Sequence, residues 1–492
     1  MQETPESPRR FLREVARREL LARGLRPDFP AVVLEEVENL PEEPPADGGA
    51  PVRDLRNLPW FSIDNEGTRI LDQVTAAERR GTAIRLLVAI ADVDILMPPG
   101  SALDDHARHN AKSIYTPGGT FPLLPERVAA RLGSLREGKD RLAVVVAMSV
   151  EEDGSVSSVE VERALVHNRA RLAYEEVADW LDGKGSLVRR QLKMSVLKKQ
   201  LLLHEEVALR LRRHRYERGA LPVERWRLDA VFHCNGSVRV EEAKGARAQE
   251  LIEDLMVAAN EATAAWLAAR GYPSLRRLVR EPVRWPGLIA LAASLGTILP
   301  AEPDSGALAR FLEARRAADP KGYTDLAYTV LDLLGPGEYM ADLPGRRAPR
   351  HFVLAVDDYG HSTAPLRRYA DLVMQRLLKA ALAGRPAPGS GNEQMVELAV
   401  HCTRRENQGI EVERLVERSA AALMLAGRIG ERMEAAVVRV SEEGTWVRTC
   451  DPPSEGRVTE RAEGLEVGDR IHVRLLMADA ERGVLELAAD RP

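Results

Sequence analysis

The chain has 492 residues, 45% hydrophobic and 29% charged, which corresponds to roughly three domains with ample material for buried cores. Its 70 basic and 75 acidic residues give a formal charge of −5, so any positive surface for nucleic acid has to be local. The widely spaced Cys234, Cys402 and Cys450 argue against a disulfide scaffold or a cysteine zinc site. No secretory signal and no membrane-spanning apolar stretch is visible, so we expect a cytoplasmic protein without a membrane partner.

Residues 1–50 predict a short helical region. Segments 11–21 and 29–37 have a helical apolar rhythm and Gly24 separates them, while the Pro/Gly-rich stretch 42–51 predicts a linker. Two helices around a glycine turn are compatible with a helix-turn-helix. The favoured interpretation is a helical lead-in that packs on the next domain.

Residues 51–385 predict one mixed α+β domain, because no linker-like stretch divides them. Nearly continuous apolar runs at 84–93 and 142–150 are typical of buried strands. Amphipathic helices are predicted at 174–218, 249–270 and 365–383.

The tail predicts a separate small barrel. The stretch GRPAPGSG at 384–391 indicates a linker and a helix follows from Glu393, so residues 386–430 form a linker and helix. Short strands with turns over 431–492 favour a five-stranded, all-β OB-fold. Trp446 in one of these strands is a candidate stacking surface for a base.

An acidic loop follows the first strand-like segment. Asp64 and Asp72 are eight positions apart and converge on one hard cation if the loop folds back. Mg²⁺ is usually held by one or two carboxylates, water and substrate phosphate oxygens. The alternative for such a loop is a solvated turn.

A second cluster spans residues 359–371. Pro365 suits the first turn of a helix and Thr363 suits its N-cap. Free N–H groups at this helix start, the hydroxyls of Ser362 and Thr363, and the guanidinium of Arg367 would make a phosphate cradle.

Asp371 follows Arg367 by four positions, which predicts that it orients the guanidinium. The alternative is a capped surface helix with an ordinary ion pair. His361 is interpreted as a hydrogen-bonded structural histidine, because the sequence supplies no second nearby zinc ligand.

Tyr115 precedes a Pro-Gly turn. Aromatic side chains hold single strands by stacking on their bases, although a core or turn tyrosine is the alternative. Local arginine clusters at 212–215, 276–277 and 346–350 are candidates for segregated positive patches, or for ordinary solvated faces.

Read together, these segments resemble the RNase II/RNase R family of 3′→5′ exoribonucleases, co-linearly over about residues 50 to 385. The residues that carry the resemblance are Asp54-Leu55-Arg56, Ile90-Ala91-Asp92-Val93, Pro99 to Asp104, Ser113 to Gly118, Pro122 to Glu126, Leu135 with Asp140 to Ala143, Ala170 to Glu176, Ile252 to Met256 with Ala259-Asn260, and Tyr359 to Asp371. The tail resembles the S1-type OB domain of that family. The cold-shock domains that precede the catalytic domain in the family have no counterpart before residue 50.

One motif departs from the family pattern T-I-D-x-x-x-T-x-D-x-D-D. Asp64 and Asp72 occupy the first and third aspartate positions, whereas Ile70 and Gln73 occupy the second and fourth. The missing carboxylates predict weaker metal binding. Nearby acids, namely Glu66, Asp92 and Asp94, are candidates to compensate.

The resemblance implies hydrolysis of single-stranded RNA to nucleoside 5′-monophosphates with Mg²⁺ or Mn²⁺. Asp64 and Asp72 would hold the metal, with Asp72 most tied to cleavage, and Arg367 would meet charge on the phosphoryl oxygens. Tyr115 would clamp the terminal base, and Glu253 would orient Arg367 or the ribose. We expect a monomer.

Two other classes stay open from the sequence. Ile70 and Gln73 are compatible with a catalytically weakened RNA-binding protein on the same fold. A translation-associated OB-fold binder on a helical platform is a further alternative, for which deletion of 431–492 should remove all RNA affinity.

Overall fold

The computed structural model describes residues 7–42, 51–185, 187, 193–222, 228–232, 238–242, 246–320, 322–346, 348–388, 392–441, 443–451 and 453–490. The predicted linker at 42–51 falls almost wholly outside these ranges. The end of the 384–391 stretch, Cys234 and Arg347 also lie outside them.

The described chain contains eleven α-helices and eighteen β-strands. The helices are Pro8–Ala22 (α1), Ala31–Glu38 (α2), Ala102–Asn110 (α3), Tyr174–Leu181 (α4), Met194–Glu217 (α5), Ala246–Ala268 (α6), Trp285–Ser294 (α7), Ser305–Ala318 (α8), Tyr323–Leu334 (α9), Tyr369–Leu382 (α10) and Asn392–Leu425 (α11). The strands are Val52–Asp54 (β1), Phe61–Asp64 (β2), Gln73–Arg80 (β3), Ala83–Ala91 (β4), Ile114–Thr116 (β5), Gly119–Phe121 (β6), Asp140–Val150 (β7), Val156–His167 (β8), Ala170–Ala173 (β9), Leu228–Phe232 (β10), Val238–Glu242 (β11), Ser274–Leu278 (β12), Glu338–Asp342 (β13), Arg432–Ser441 (β14), Gly444–Cys450 (β15), Pro453–Glu460 (β16), Arg470–Asp479 (β17) and Val484–Asp490 (β18).

A seven-stranded sheet forms the centre of the large domain, in the order β1-β8-β7-β4-β3-β2-β9. The edge pairs β1–β8 and β2–β9 are parallel and the other pairs are antiparallel. Alternate β4 residues enter two different hydrophobic cores, Leu86 and Val88 on one face and Leu87 and Ala89 on the other. A strand buried on both faces has to be apolar throughout, so the predicted buried strands and the mixed α+β class are confirmed.

Helices cover both faces of this sheet. Apolar residues of α4, α5 and α6 join the core on one face, whereas those of α2, α3 and α10 join the core on the other. A third core lies within α7, α8 and α9. No helix in the described ranges combines the length and the apolar character needed to cross a membrane.

The long helix α11 connects the cores. Its early residue Cys402 packs in the core of the sheet, Val412 packs against α1, and Leu425 packs in the core of the tail. The tail is a closed five-stranded barrel in the order β14-β15-β16-β18-β17. The predicted OB-type barrel is therefore confirmed.

Both predicted N-terminal helices form and pack on the rest of the protein. The buried stripe of α1, which includes Leu12 and Ala16, packs against α11 and the β5–β6 hairpin. Val33 and Val37 of α2 enter the core of the sheet. This packing is what the lead-in interpretation predicts.

Candidate active site at the end of strands β2 and β3

The two predicted metal-binding aspartates lie at neighbouring strand ends. Asp64 is the last residue of β2 and Asp72 immediately precedes β3. The antiparallel pair Phe61–Thr75 joins these strands, and the charge of Arg367 acts on both carboxylates. The loop between them therefore folds back, as convergence of the two carboxylates requires.

Asp72 is buried, with 3% of its surface exposed, and meets the 359–371 segment. Its Oδ1 accepts a hydrogen bond from the Leu366 N–H at 2.8 Å, and its Oδ2 accepts one from Arg367 Nε at 3.2 Å. Burial raises the pKa of Asp72 to about 6, although the positive charge of Arg367 and the Leu366 N–H oppose the rise. The Arg367 guanidinium thus offsets only part of the free-energy cost of burying the ionised Asp72 carboxylate.

Asp64 shares the same guanidinium. Burial raises the pKa of Asp64, and the N–H of Asn65, the hydroxyl of Thr68 and the charges of Arg367 and Arg171 lower it. Arg171 also binds the carbonyl oxygens of Asn65 and Glu66 and so holds the turn after Asp64. Sequence reasoning did not single out Arg171, because an arginine in a strand carries no local signal of such a role.

The structure also brings Tyr115 to this place. Partial desolvation raises the pKa of its phenol, and the charges of Arg367 and Asp72 act on that pKa in opposite directions. The ring is half-exposed, at 49%, and its strand is held by a hydrogen bond from the Tyr115 N–H to Glu413 of α11, at 3.0 Å. A half-exposed aromatic side chain at this place is able to stack on a nucleic-acid base.

The helix predicted to start at Pro365 starts instead at Tyr369. The preceding residues pair with the segment before β5: the Ser113 N–H binds the Arg367 carbonyl at 2.9 Å, and the Tyr369 N–H binds the Ala111 carbonyl at 2.8 Å. An isolated bridge also links Lys112 to Arg368. These long-range bonds override the local preference of proline for a first helical turn, and Thr363 is not the N-cap.

The predicted partnership of Asp371 with Arg367 is wrong. Asp371 forms a bidentate pair with Arg368, with both N–O distances at 2.8 Å, and accepts the Ala364 N–H at 2.7 Å. The predicted cradle of free N–H groups is also wrong, because Asp72 takes the Leu366 N–H and Asp371 takes the Ala364 N–H. The segment instead uses its N–H groups to hold carboxylates in place.

Ser362 and Thr363 are both buried. The Ser362 hydroxyl lies 3.0 Å from Asn260 Oδ1 and 2.8 Å from the Thr263 hydroxyl, so it anchors the segment to α6. A contact of either hydroxyl with RNA stays a prediction. His361 is structural, as predicted, since its Nδ1 lies 2.8 Å from the Tyr339 hydroxyl in the protein interior.

Glu253 and Trp446 are the remaining residues for which the sequence predicts contact with RNA. Glu253 is exposed on α6, and its charge acts on the pKa of Tyr359, whereas the ion pair of Arg367 is with Asp72. Trp446 is half-buried on the barrel, with the Arg439 guanidinium 3.7 Å from its ring centre. The roles of Glu253 and Trp446 toward RNA stay predictions.

Asp92 and Asp94 are committed elsewhere. Lys379 Nζ lies 2.8 Å from Asp92 Oδ1 and 2.9 Å from Asp94 Oδ2, while Arg163 also pairs with Asp92 and Arg376 with Asp94. These acids balance buried cations of the sheet and α10. They are therefore poor candidates to replace the missing carboxylates.

Arginines of two of the sequence clusters pair with buried acids. Arg212 and Arg215 pair with Asp254, and Arg276 is buried against Asp342. These three arginines balance buried carboxylates, whereas Arg213 of the first cluster is exposed.

The side chain of buried Gln375 binds the backbone at the end of β4, next to the site. Sequence reasoning missed this residue. Its side chain accepts the N–H groups of Val93 and Asp94, at 2.9 and 3.1 Å, and donates to the Ala91 carbonyl at 2.7 Å. The Ala91 N–H in turn binds the Asp72 carbonyl at 2.9 Å. Since Gln375 lies on α10, directly after the Arg367 segment, it couples the position of Asp72 to that of Arg367.

The donor set at the site fits a hard divalent cation only in part. Among the described residues, no group of three or more histidine, cysteine, aspartate or glutamate side chains is placed to hold a metal ion. Asp64 and Asp72 offer two carboxylates, and Mg²⁺ often takes one or two carboxylates together with water and substrate phosphate. The pair fits a cation that completes its ligand shell from substrate.

Two family profiles match this arrangement of a mixed α+β domain followed by a closed five-stranded barrel. The chain belongs to the RNB family, since the profile of the RNB domain matches residues 52–384. The profile of the RNase II-type exonuclease C-terminal S1 domain matches residues 431–490.

Curated relatives extend this likeness. Ribonuclease R of Escherichia coli (strain K12) is 30% identical over 446 residues, which cover 87% of this chain and 54% of the relative. Exoribonuclease 2 of Cronobacter sakazakii is 31% identical over 407 residues, covering 81% of this chain and 61% of the relative. The chain thus spans a little over half the length of these two relatives.

Solved structures share the fold. Mycoplasma genitalium RNase R in complex with ribose methylated single-stranded RNA has a TM-score of 0.87 at 23% identity, covering 98% of this chain and 78% of that one. Yeast Ssd1, described as a pseudonuclease, has a TM-score of 0.64 at 17% identity, covering 82% of this chain and 50% of that one. At these identities the likeness establishes the fold alone.

The substitution Asp72→Asn should raise the free energy of unfolding at pH 8. The folded pKa of about 6 lies above the ordinary aspartate value of 3.8, so wild-type stability falls as pH rises from about 4 to about 6. Two pKa units correspond to about 3 kcal/mol, which is the upper limit of the gain. Thermal melts of both chains between pH 3 and pH 8 should converge at the acid end.

Asp371→Asn is the matched control for this measurement. It breaks the pair of buried Asp371 with Arg368, whose side chain is 24% exposed, and should lower stability at pH 8, because a partly buried charge then loses its partner. If Asp72→Asn destabilised the chain at pH 8 as Asp371→Asn does, the stated cost of ionised Asp72 would be wrong.

Proposed function

We propose that this protein hydrolyses single-stranded RNA from its 3′ end and releases nucleoside 5′-monophosphates. The observation that carries the proposal is the convergence of Asp64, Asp72, Arg367 and Tyr115 at one end of the sheet. These are a carboxylate pair, a cation for phosphate and a platform for a base. Membership of the RNB family and the S1-type barrel support the same proposal.

Arg367 binds the phosphate in this proposal. Its contact with Asp72 is made through Nε, so its terminal nitrogens can bind phosphoryl oxygens without release of Asp72. The Arg367 side chain is 43% exposed whereas that of Asp72 is 4% exposed, which puts the guanidinium on the substrate side. A fixed guanidinium beside developing phosphoryl charge stabilises the transition state.

Asp64 and Asp72 are the residues that would hold Mg²⁺ or Mn²⁺. Such an ion, when bound, polarises the phosphate and lowers the pKa of an attacking water. The positive charge of Arg367 acts on both carboxylates and favours their ionised forms, which are the forms that bind a cation. With two carboxylates in place of the four of the family pattern, we expect activity to require a high metal concentration.

Tyr115 and the barrel bind the RNA chain. The half-exposed ring of Tyr115 stacks on the terminal base, and contacts to the 2′-hydroxyl distinguish RNA from DNA. Trp446 with Arg439 stacked on it is a surface on the barrel of the kind that gathers single strands. We expect both surfaces to act on one RNA molecule.

The rival proposal is an RNA-binding protein that has lost catalysis. Ile70 and Gln73 in place of family aspartates favour it, and the pseudonuclease Ssd1 shares the fold. The two proposals differ in whether bound RNA is cut.

A 5′-labelled single-stranded oligoribonucleotide incubated with the protein and Mg²⁺ or Mn²⁺ should be shortened stepwise from its 3′ end. Chromatography should detect nucleoside 5′-monophosphates, and Asp72→Asn should abolish their release because it removes a ligand carboxylate. RNA that stays intact while bound tightly at all metal concentrations would favour the rival proposal.

Tyr115→Ala should weaken RNA binding, because stacking of one base contributes about 1–3 kcal/mol, or roughly 5- to 150-fold in affinity. The measurement is fluorescence anisotropy with a labelled oligoribonucleotide, in the Asp72→Asn chain so that the RNA stays intact. Tyr115→Phe keeps the ring and should bind as the parent does. Equal affinities for the Ala and Phe variants would argue against stacking.

Gln375→Met should lower kcat by about 10- to 100-fold with little change in KM, since small misplacements of reacting groups have costs of that size. Gln200→Met is the matched control: buried Gln200 binds the N–H and carbonyl of Ala77, both at 2.8 Å, in the same sheet. Both variants should lose similar stability in thermal melts. Equal kcat values for the two variants would remove the link between Gln375 and the site.

A further inference from the structure

Helix α1 packs directly on the hairpin that carries Tyr115. Arg13 Nη1 donates to the Thr120 carbonyl at 3.4 Å, and its guanidinium lies 4.7 Å from the centre of the Phe121 ring. Thr120 is the cross-strand partner of Tyr115 in this hairpin. The N-terminal helix thus reaches the residue directly opposite the proposed base platform.

The backbones of α1 and the hairpin are in close contact at Gly118. A Cβ added to Gly118, at the tip of the hairpin, would lie 2.4 Å from the Arg13 backbone nitrogen. Only a glycine lets the two backbones approach this closely. The hairpin is therefore fixed between α1 on one side and Glu413 of α11 on the other.

The same helix also reaches the barrel. Arg18 Nη2 donates to the carbonyl of Glu481, in the turn between β17 and β18, at 3.1 Å. Arg18 is five residues after Arg13, or about 7.5 Å along the helix axis. Helix α1 consequently contacts both the Tyr115 hairpin and the barrel. An RNA strand that bound to both would have to pass between them.

The exposed side of α1 is basic at its N-terminal end. Arg9, Arg10 and Arg13 are exposed, and Glu14 is the single acid among residues 8–16. Arg13 is three positions after Arg10 and four after Arg9, so the three side chains share one face of the helix.

We propose that α1 is an RNA-binding element, in which Arg9, Arg10 and Arg13 bind phosphates of the strand whose 3′-terminal base stacks on Tyr115. The inference rests on the proposed function in taking single-stranded RNA as the ligand, but it does not require hydrolysis. Positive charge next to the base platform compensates for the net acidity of the chain at the place where the RNA backbone runs.

The test compares two pairs of adjacent, exposed arginines in the full-length Asp72→Asn chain. Arg9→Ala/Arg10→Ala removes charge from α1, whereas Arg79→Ala/Arg80→Ala removes it from the far end of β3, about 25 Å along the strand from Asp72. Affinity for a labelled single-stranded oligoribonucleotide is measured by anisotropy in EDTA at several salt concentrations. Thermal melts check that both variants remain folded.

The α1 variant should bind RNA more weakly at low salt and show a shallower salt dependence. Loss of two phosphate contacts reduces the slope of log K against log salt by about 1.4 for a single strand, while the β3 variant should keep the parent slope. An unchanged slope for the α1 variant, or equal losses in both variants, overturns the inference while the proposed function stands. A parent chain without RNA affinity overturns the proposed function as well.

Discussion

The buried contact between Asp72, the Leu366 N–H and Arg367 is the constraint on which the site depends. It joins the start of β3 to a segment almost 300 residues later and puts opposite charges at one end of the sheet. Burial raises the pKa of the carboxylate despite this pairing. The protein therefore holds a charged group where folding alone would favour its neutral form, which is the usual mark of a functional residue.

The surrounding structure opposes that cost with a dense polar framework. Helix α10 begins just after Arg367 and carries Gln375 and Lys379, which bind the end of β4 and its two acids. Breaking one member of such a network leaves a buried charge or donor unpaired, so the network resists displacement as a unit. Asp92 and Asp94, which resemble spare metal ligands in the sequence, thus pair with cations of this network.

A second framework links the site to the barrel. Helix α11 runs from the core of the sheet to the barrel, and α1 lies alongside it against the Tyr115 hairpin. Helix α11 contributes to three cores, and α1 contacts both the hairpin and the turn between β17 and β18. In this arrangement helix α1 is part of the structure around the proposed base platform.

Local pattern was enough to predict much of this protein. The sequence by itself determined the buried strands, the five-stranded tail barrel and the two N-terminal helices, because apolar periodicity lies in neighbouring residues, while the roles of Asp64, Asp72, Arg367 and Tyr115 stay predictions. Only the tertiary structure decided the partners: Arg368 rather than Arg367 for Asp371, Tyr369 rather than Pro365 as the helix start, and Gln375 as the link to Asp72. These depend on pairings between residues hundreds of positions apart, whose long-range hydrogen bonds and ion pairs outweigh the local preferences from which a sequence is interpreted.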